Sequence, residues 1–364
     1  MTGSRLRTTL QTNLVLLIIL ALLILLPFII GWLTGSDPLA TRGASMNWQG
    51  NIIEVYILAI LAMSYNLLFG FSGVISFGHA LFFGLGGYIL GISVQFTGLS
   101  GDVGMIVGVV GAVLICGILS LLIGLASLRL RGVYFAVFTL AVAEMVYIYL
   151  GRLPLTRGED GFSLNNLPAW INPIGDRINY YYIALALFVL TFVFIRRLMF
   201  SPTGAVLLAM RENEERAKTI GYNTLYFKLF AFTAAGMLAA LAGILQVVFN
   251  KKVGPELLSV AYTIDPLLMT IIGGAGTFVG PIIGASGLHL ADRLLRDRTI
   301  AFSETLVVDI GASWTLILGM IFILVVMVFP QGIVGTWHRW RARQRKGDTA
   351  AAPTKLKPTE KQPT

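Results

Sequence analysis

The stretch Ile271–Gly287, IIGGAGTFVGPIIGASG, decides how the chain is folded. It is as apolar as its surroundings, yet it holds six glycines and Pro281. Glycine opens backbone conformations closed to other residues, and proline takes a donor out of a helical ladder. Around it lie 364 residues, 56% hydrophobic and only 12% charged, with a mean hydropathy of +0.80. Soluble domains carry roughly 25% charged residues, so long uncharged runs at this composition belong in a bilayer. Read as one ordinary helix over Ile264–Leu290, the segment puts Ala291–Asp309 inside. The last apolar run, Ile310–Phe329, then carries the C-terminal tail outside. From Gln331 to Thr364 that tail has eight Lys/Arg against Asp348 and Glu360, and basic flanks stay on the cytoplasmic side. Read as two short helices broken at GGAGTFVGP, the segment enters and leaves on one side, and the tail returns inside. The broken reading is preferred. Non-helical backbone at membrane depth is tolerated only where protein buries it or a wet cavity borders it.

Working outward, the other spans follow from apolar runs. Arg5 and Arg7 precede Leu14–Leu33, an uncleaved first span that starts in the cytoplasm. Ile52–Phe69 returns inward after a polar outer loop. The glycine-rich stretch from Gly70 leads into a third span ending near Phe96. Gly104–Ser127, Val133–Leu150 and Tyr180–Ile195 are the fourth to sixth, with a long outer loop over Gly151–Asn179. Phe227–Phe249 is the seventh and Ile310–Phe329 the eighth. The expected fold is an all-α polytopic membrane protein. It has about eight full transmembrane helices plus the broken pair, and both termini are cytoplasmic. Residues 1–13 form the N-terminus, 14–330 the membrane domain, and 331–364 a basic, disordered tail.

Between the sixth and seventh spans lies SPTGAVLLAMRENEERAKTIGYN, Ser201–Asn223, within a cytoplasmic loop over 196–226. It is polar, charged and helix-prone. Ser201 suits an N-cap, Pro202 the first helical position, and Gly221 a helix end. Glu212/Arg216 and Glu214/Lys218 are spaced to pair on one helix. An ordered loop of this kind is explained by something docking on it.

The charge-bearing residues exclude several chemistries. No G-x-x-x-x-G-K-[ST] loop is present, so ATP hydrolysis by that device belongs to another chain. GGAGTFVG has the wrong spacing and setting for a dinucleotide fingerprint. Cys116 stands alone, and the three histidines, His79, His289 and His338, are scattered; no metal set is expected. No cofactor is expected on this chain. The basic tail reads as an orientation signal rather than a nucleic-acid site. Glu144 is taken as the one carboxylate well inside a span, where an ionisable group faces a bundle interior or an aqueous path. Asn66, Ser76, His79, Glu144, Gly273, Gly274 and Gly276 are the candidate pathway residues. Paired catalytic carboxylates and a Ser–His–Asp set are missing, so an enzyme is not expected.

YNLLFGFSGVISFGHALFFGLGGY (Tyr65–Tyr88), RENEERAKTIGYNTLYFKLFAFTAAGMLAALAG (Arg211–Gly243) and GGAGTFVGPIIGA (Gly273–Ala285) occur in this order. Together they resemble the branched-chain amino-acid permeases of ABC importers, over about Ile52–Val334. Glu215, Ala217 and Gly221 keep the spacing of the wider ABC-permease loop pattern EAAxxxG, with Arg216 in place of its middle alanine. The resemblance implies a multi-pass subunit of the bacterial inner membrane. Two ATP-hydrolysing subunits would bind at Arg211, Glu212, Glu215, Ala217 and Gly221, with Glu212–Gly221 as the coupling helix. A second related permease would complete the pathway, and a periplasmic binding protein would deliver substrate. A urea or short-amide permease is the nearest alternative, and an ion-coupled secondary transporter the alternative from another class.

Overall fold

Lipid offers no partners to backbone amides, so long apolar runs satisfy theirs within helices. The computed structural model describes residues 2–37, 43–130, 132–296, 299–303, 306–309, 314–329, 331–337 and 339–340. The helices in order are α1 (Thr2–Thr34), α2 (Ala44–Asn66), α3 (His79–Phe96), α4 (Gly101–Ser127), α5 (Val133–Arg152), α6 (Arg177–Met199), α7 (Pro202–Glu212), α8 (Glu214–Thr219), α9 (Thr224–Asn250), α10 (Ala261–Gly273), α11 (Gly280–Arg296) and α12 (Trp314–Val328). Seven of these, α1 to α6 and α9, are long and apolar enough to cross a membrane. The eighth expected span corresponds to α12, described over 15 residues. The expected polytopic all-α fold is the one observed. The basic tail from residue 341, expected to be disordered, lies outside the described residues.

Two details depart from the sequence reading. α2 begins at Ala44 rather than near Ile52. Its first turns carry Ser45, Gln49 and Asn51, which look like loop residues but are buried, with Gln49 Nε2 donating to Ser45 Oγ at 3.3 Å. The second departure is a pair of short β pairings. β1 (Phe162–Ser163) and β2 (Lys252–Val253) run antiparallel, pinning the long loop after α5 to the end of α9. β3 (Thr299–Ser303) and β4 (Leu306–Asp309) form a second antiparallel pair.

α3 packs against both α4 and α9, and α2 against α6, α9, α10 and α11. In lipid, helices associate through close packing rather than hydrophobic collapse, so small residues mark the seams. A Cβ on Gly86 would stand 2.6 Å from the Ala240 Cα, and one on Gly236 3.0 Å from the Ser120 Cβ. The core residues Phe82, Phe83, Tyr65 and Tyr180 fill the space between these seams.

The break in the opening stretch is real. α10 stops at Gly273 and α11 starts at Gly280. Between them Gly274 and Gly276 take φ of 123° and 79°, angles that side-chain-bearing residues resist. α10 and α11 then lie side by side, Gly273 against the Gly280 backbone and Gly284 against the Met269 carbonyl.

Ser201–Asn223 folds as two helices where one was expected. Asn213 is extended (φ −159°, ψ 101°) and its Oδ1 accepts from Arg216 N at 2.9 Å, capping α8. The expected Glu212/Arg216 pair is therefore not formed: Glu212 ends α7 and Arg216 sits in α8. The coupling helix expected over Glu212–Gly221 shortens to α8. The Glu214–Lys218 pair does form, at 3.4 Å. Ser201 holds the N-cap position with its hydroxyl turned back to the Leu198 carbonyl. Gly221, at φ 97°, closes α8: Gly221 N donates to the Lys218 carbonyl and Tyr222 N to that of Ala217. That is the Schellman arrangement.

Candidate functional site

Two sites stand along α2, one at its C-terminal end and one at its middle. At its C-terminal end the helix passes into a π-turn, Leu67–Phe71, a departure often found at functional positions. Asn66, the last residue before the turn, grips the broken α10–α11 segment with both halves of its amide. Its Oδ1 accepts from Gly276 N at 2.8 Å, and its Nδ2 donates to the Thr277 carbonyl at 2.9 Å. Gly70 lies beneath this clamp, where a Cβ would come 2.5 Å from Gly276 N. Arg211, near the end of α7, packs its Cγ about Gly73, and its Nη1 occupies the space a Gly276 Cβ would need. The segment after α12 closes the other side: a Cβ on Gly332 would lie 2.7 Å from the Ile271 carbonyl. α7, the π-turn, the α10–α11 break and the chain after α12 thus meet at one joint with no spare volume.

The α7–α8 unit is itself anchored. Val206 and Met210 of α7 and Ala217 of α8 form a small apolar cluster with Phe227 of α9. Lys228 Nζ meets Glu214 Oε2 at 2.6 Å. Partial burial pushes the Glu214 carboxyl up, but the hydrogen bond and charge of Lys228, with Lys218 adding, outweigh it and hold the group below the ordinary value of 4.5. Glu215, Ile220 and Tyr222 remain exposed around this unit.

At the middle of α2, a cavity of 410 Å³ opens between α2, α9, α10 and α11. Glu54 and Leu58, Gln246, Tyr262 and Asp265, and His289, Asp292 and Arg293 line it. His289 Nε2 lies 3.2 Å from Glu54 Oε2. Asp292 is close enough to Asp265 for the two charges to repel.

The family described as branched-chain amino acid transport system / permease component matches residues 50–329. The chain belongs to that family. The LivM permease of the high-affinity branched-chain amino acid transport system from Salmonella typhimurium is 28% identical, covering 94% of this chain and 80% of that protein. A probable LivM permease from Methanocaldococcus jannaschii is 25% identical over 76% of this chain and 89% of its own. The LivH permease of Escherichia coli is 26% identical over 76% and 91%.

In this branched-chain permease, the residues singled out from sequence fall in three places. Arg211, Asn66, Gly273, Gly274 and Gly276 come together at the joint. Ser76, in the segment between α2 and α3, and His79, the first residue of α3, are buried and engaged by protein: Ser76 Oγ accepts from Gly78 N, and His79 Nε2 meets Ser64 Oγ at 2.8 Å. Thr139 and Thr263 hydroxyls accept from Phe77 N and Ala80 N. This irregular backbone is therefore satisfied from outside, as the bilayer requires. Glu212, Glu215 and Gly221 are exposed and Ala217 is buried. Glu144 does not face the bundle interior of this subunit; it lies on the exposed side of α5 with Met145 and Tyr149.

Sequence reasoning singled out Glu144 and missed the cavity, whose wall holds Asp265 of the second turn of α10. A signal was available: His289, Asp292 and Arg293 stand at i, i+3 and i+4, one face of a helix. Asp265 is likewise a lone acid in the apolar run AYTIDPLLMT.

Proposed function

We propose that this permease is the membrane-spanning subunit of an ATP-driven importer that moves branched-chain amino acids across a bacterial inner membrane. ATP is consumed by two separate ATPase subunits that dock on α7–α8 in the cytoplasm. A second, related permease completes the pathway, and a periplasmic protein supplies the solute. The single observation that carries this reading is the Arg211 contact. An exposed, self-anchored helical unit reaches the broken backbone of α10–α11 through one side chain, with Gly73 and Gly276 making room for it. Displacing α7–α8 displaces the joint, and a packed joint responds by switching rather than by yielding gradually. ATP-driven closure of the partners would supply the differential binding that selects one state. Both LivM and LivH of Escherichia coli resemble the chain, which supports a mixed permease pair and the branched-chain substrate class.

The test is reconstitution with the two ATPase subunits, the second permease and the binding protein. Leucine, isoleucine or valine should stimulate ATP hydrolysis and uptake. Stimulation by urea instead would move the protein to the short-amide branch. The acids Glu54, Asp265 and Asp292 near one cavity favour an ion-coupled carrier as the second reading. Uptake that survives removal of the ATPase subunits and collapses with an ionophore would establish it.

A further inference from the structure

The cavity between α2, α9, α10 and α11 takes Glu54 and Leu58 from the middle of α2, and none of its lining residues belongs to the Arg211 joint. Its wall holds paired and unpaired groups. Glu54 is engaged by His289. Asp265 and Arg293, by contrast, have neither hydrogen bond nor ion pair among the described residues, although they stand on neighbouring helices. Gln246 of α9 is a third such group: it is only 7% exposed, lines the cavity, and its amide has no hydrogen-bond partner among the described residues. A polar side chain that lines a cavity and has no protein partner keeps its hydrogen-bonding capacity for a ligand. A carboxylate, a guanidinium and an amide without protein hydrogen bonds thus line one cavity, beside Glu54 and Asp292.

Each lacks a complementary group. Asp265, already repelled by Asp292, takes a cation that donates hydrogen bonds. Arg293 takes a planar anion, for which guanidinium is the matched donor. Gln246 can donate to an anion or accept from an ammonium. Leu58 and the Tyr262 ring offer apolar surface beside them. An inorganic cation is a poorer fit, because no group of three or more His, Cys, Asp and Glu among the described residues is arranged to hold a metal. We infer that this cavity is a receptor for a zwitterionic α-amino acid, its ammonium on Asp265 and its carboxylate on Arg293 and Gln246. The inference deepens the transport reading and rests on it for the aliphatic class of the side chain. It places a solute site inside one subunit, against the middle of α2.

The test uses the full chain in lipid nanodiscs and ligand-observed NMR with three probes: leucine, 3-methylbutylamine and 4-methylpentanoate. Leucine should bind, and each single-ended analogue should bind at least about tenfold more weakly, since each forfeits one charge-assisted contact. Asp265→Asn and Arg293→Gln should each weaken leucine by about tenfold or more. Asp265→Asn should leave 4-methylpentanoate unchanged, and Arg293→Gln should leave 3-methylbutylamine unchanged. That crossed pattern is one a merely structural role would not produce. Gln246→Met, which keeps the volume and the charge, serves if a charged-site variant fails to insert; it should weaken leucine and 4-methylpentanoate together. No binding of leucine, equal binding of all three probes, or full leucine binding in the variants overturns the site. A parallel uptake assay in the complete importer separates the two readings. Leucine uptake with variant-insensitive binding refutes the cavity and keeps the transport reading. Crossed binding without leucine uptake does the reverse.

Discussion

At one end of α2, Asn66, Gly70, Gly276 and Arg211 meet so closely that a single Cβ does not fit. At its middle, Glu54, Asp265 and Arg293 stand back around 410 Å³ of space. Both regions draw on the same helices, α2, α10 and α11. In the first, the Asn66 amide is hydrogen-bonded on both sides; the second leaves several polar groups without a partner. A filled joint transmits displacement because its packing has few alternatives. An open, charged cavity transmits nothing until something fills it. On the reading proposed above, the joint carries mechanical work and the cavity carries solute recognition.

The sharpest way to break the comparison is to put a side chain where the joint has no room. Gly276→Val meets Arg211 and the Gly70 carbonyl and must hold a positive φ. The strain is about 1–2 kcal/mol from the backbone and ~1–3 kcal/mol from overpacking. Uptake should fall below detection and the thermal midpoint should drop; uptake within about twofold of wild type would mean the joint is loose. Gly287→Ala on α11 is the matched control. Nothing lies within 4 Å of its added Cβ, so it should be neutral or stabilise by about 0.5–1 kcal/mol.

Next in size is Asn66→Ala, which leaves Gly276 N–H and the Thr277 carbonyl unpaired. Each orphaned group costs about 1–3 kcal/mol, and denaturation in detergent should show it. Asn66→Asp keeps the acceptor and loses the donor, so it should fall between alanine and wild type. If alanine and aspartate behave alike, the two-sided clamp is not what holds the break.

Arg211→Ala tests transmission rather than stability. The fold has no further need of this exposed side chain, so insertion should be normal. Solute-stimulated ATP hydrolysis in the reconstituted importer should fall by about two- to thirtyfold, the range of a coupling contact. Equal stimulation in variant and wild type would remove Arg211 from the pathway between α7–α8 and the break.

The smallest effect belongs to Glu214 and Lys228. The Glu214 carboxyl is held below its ordinary value, so its contribution is present at pH above the unfolded value of about 4.3. It disappears as pH falls through the lower folded value. Glu214 is 34% exposed, so solvent screening limits the contribution to under about 1 kcal/mol. Lys228→Gln should therefore lower the melting temperature slightly at neutral pH and make no difference in strong acid. An equal deficit at both pH values would mean packing around Phe227, not the ion pair, anchors α7–α8.

Local chemistry made much of this legible in the chain itself. Apolar runs set the spans because lipid forbids unsatisfied backbone. The glycine crowd at Gly273–Gly287 announced a break because two of those residues need positive φ. Gly221 marked the end of α8 for the same reason. The split at Asn213 was not legible, because it depends on whether an asparagine caps forward or continues the helix. Nor was the contact of Arg211 with Gly276, which joins positions far apart in the chain.

What the sequence determined alone is the set of membrane spans, the place of the break and the family of the fold. These depend on hydropathy and backbone preference, which are local. Tertiary structure decided which polar residues found partners. His79, Ser76 and Asn66 look like pathway residues in the chain, and packing occupied all three. Asp265, Gln246 and Arg293 look incidental, and packing set them around one space without satisfying them. Satisfaction of a buried group depends on what other helices bring to it, and that is fixed only when the helices are assembled.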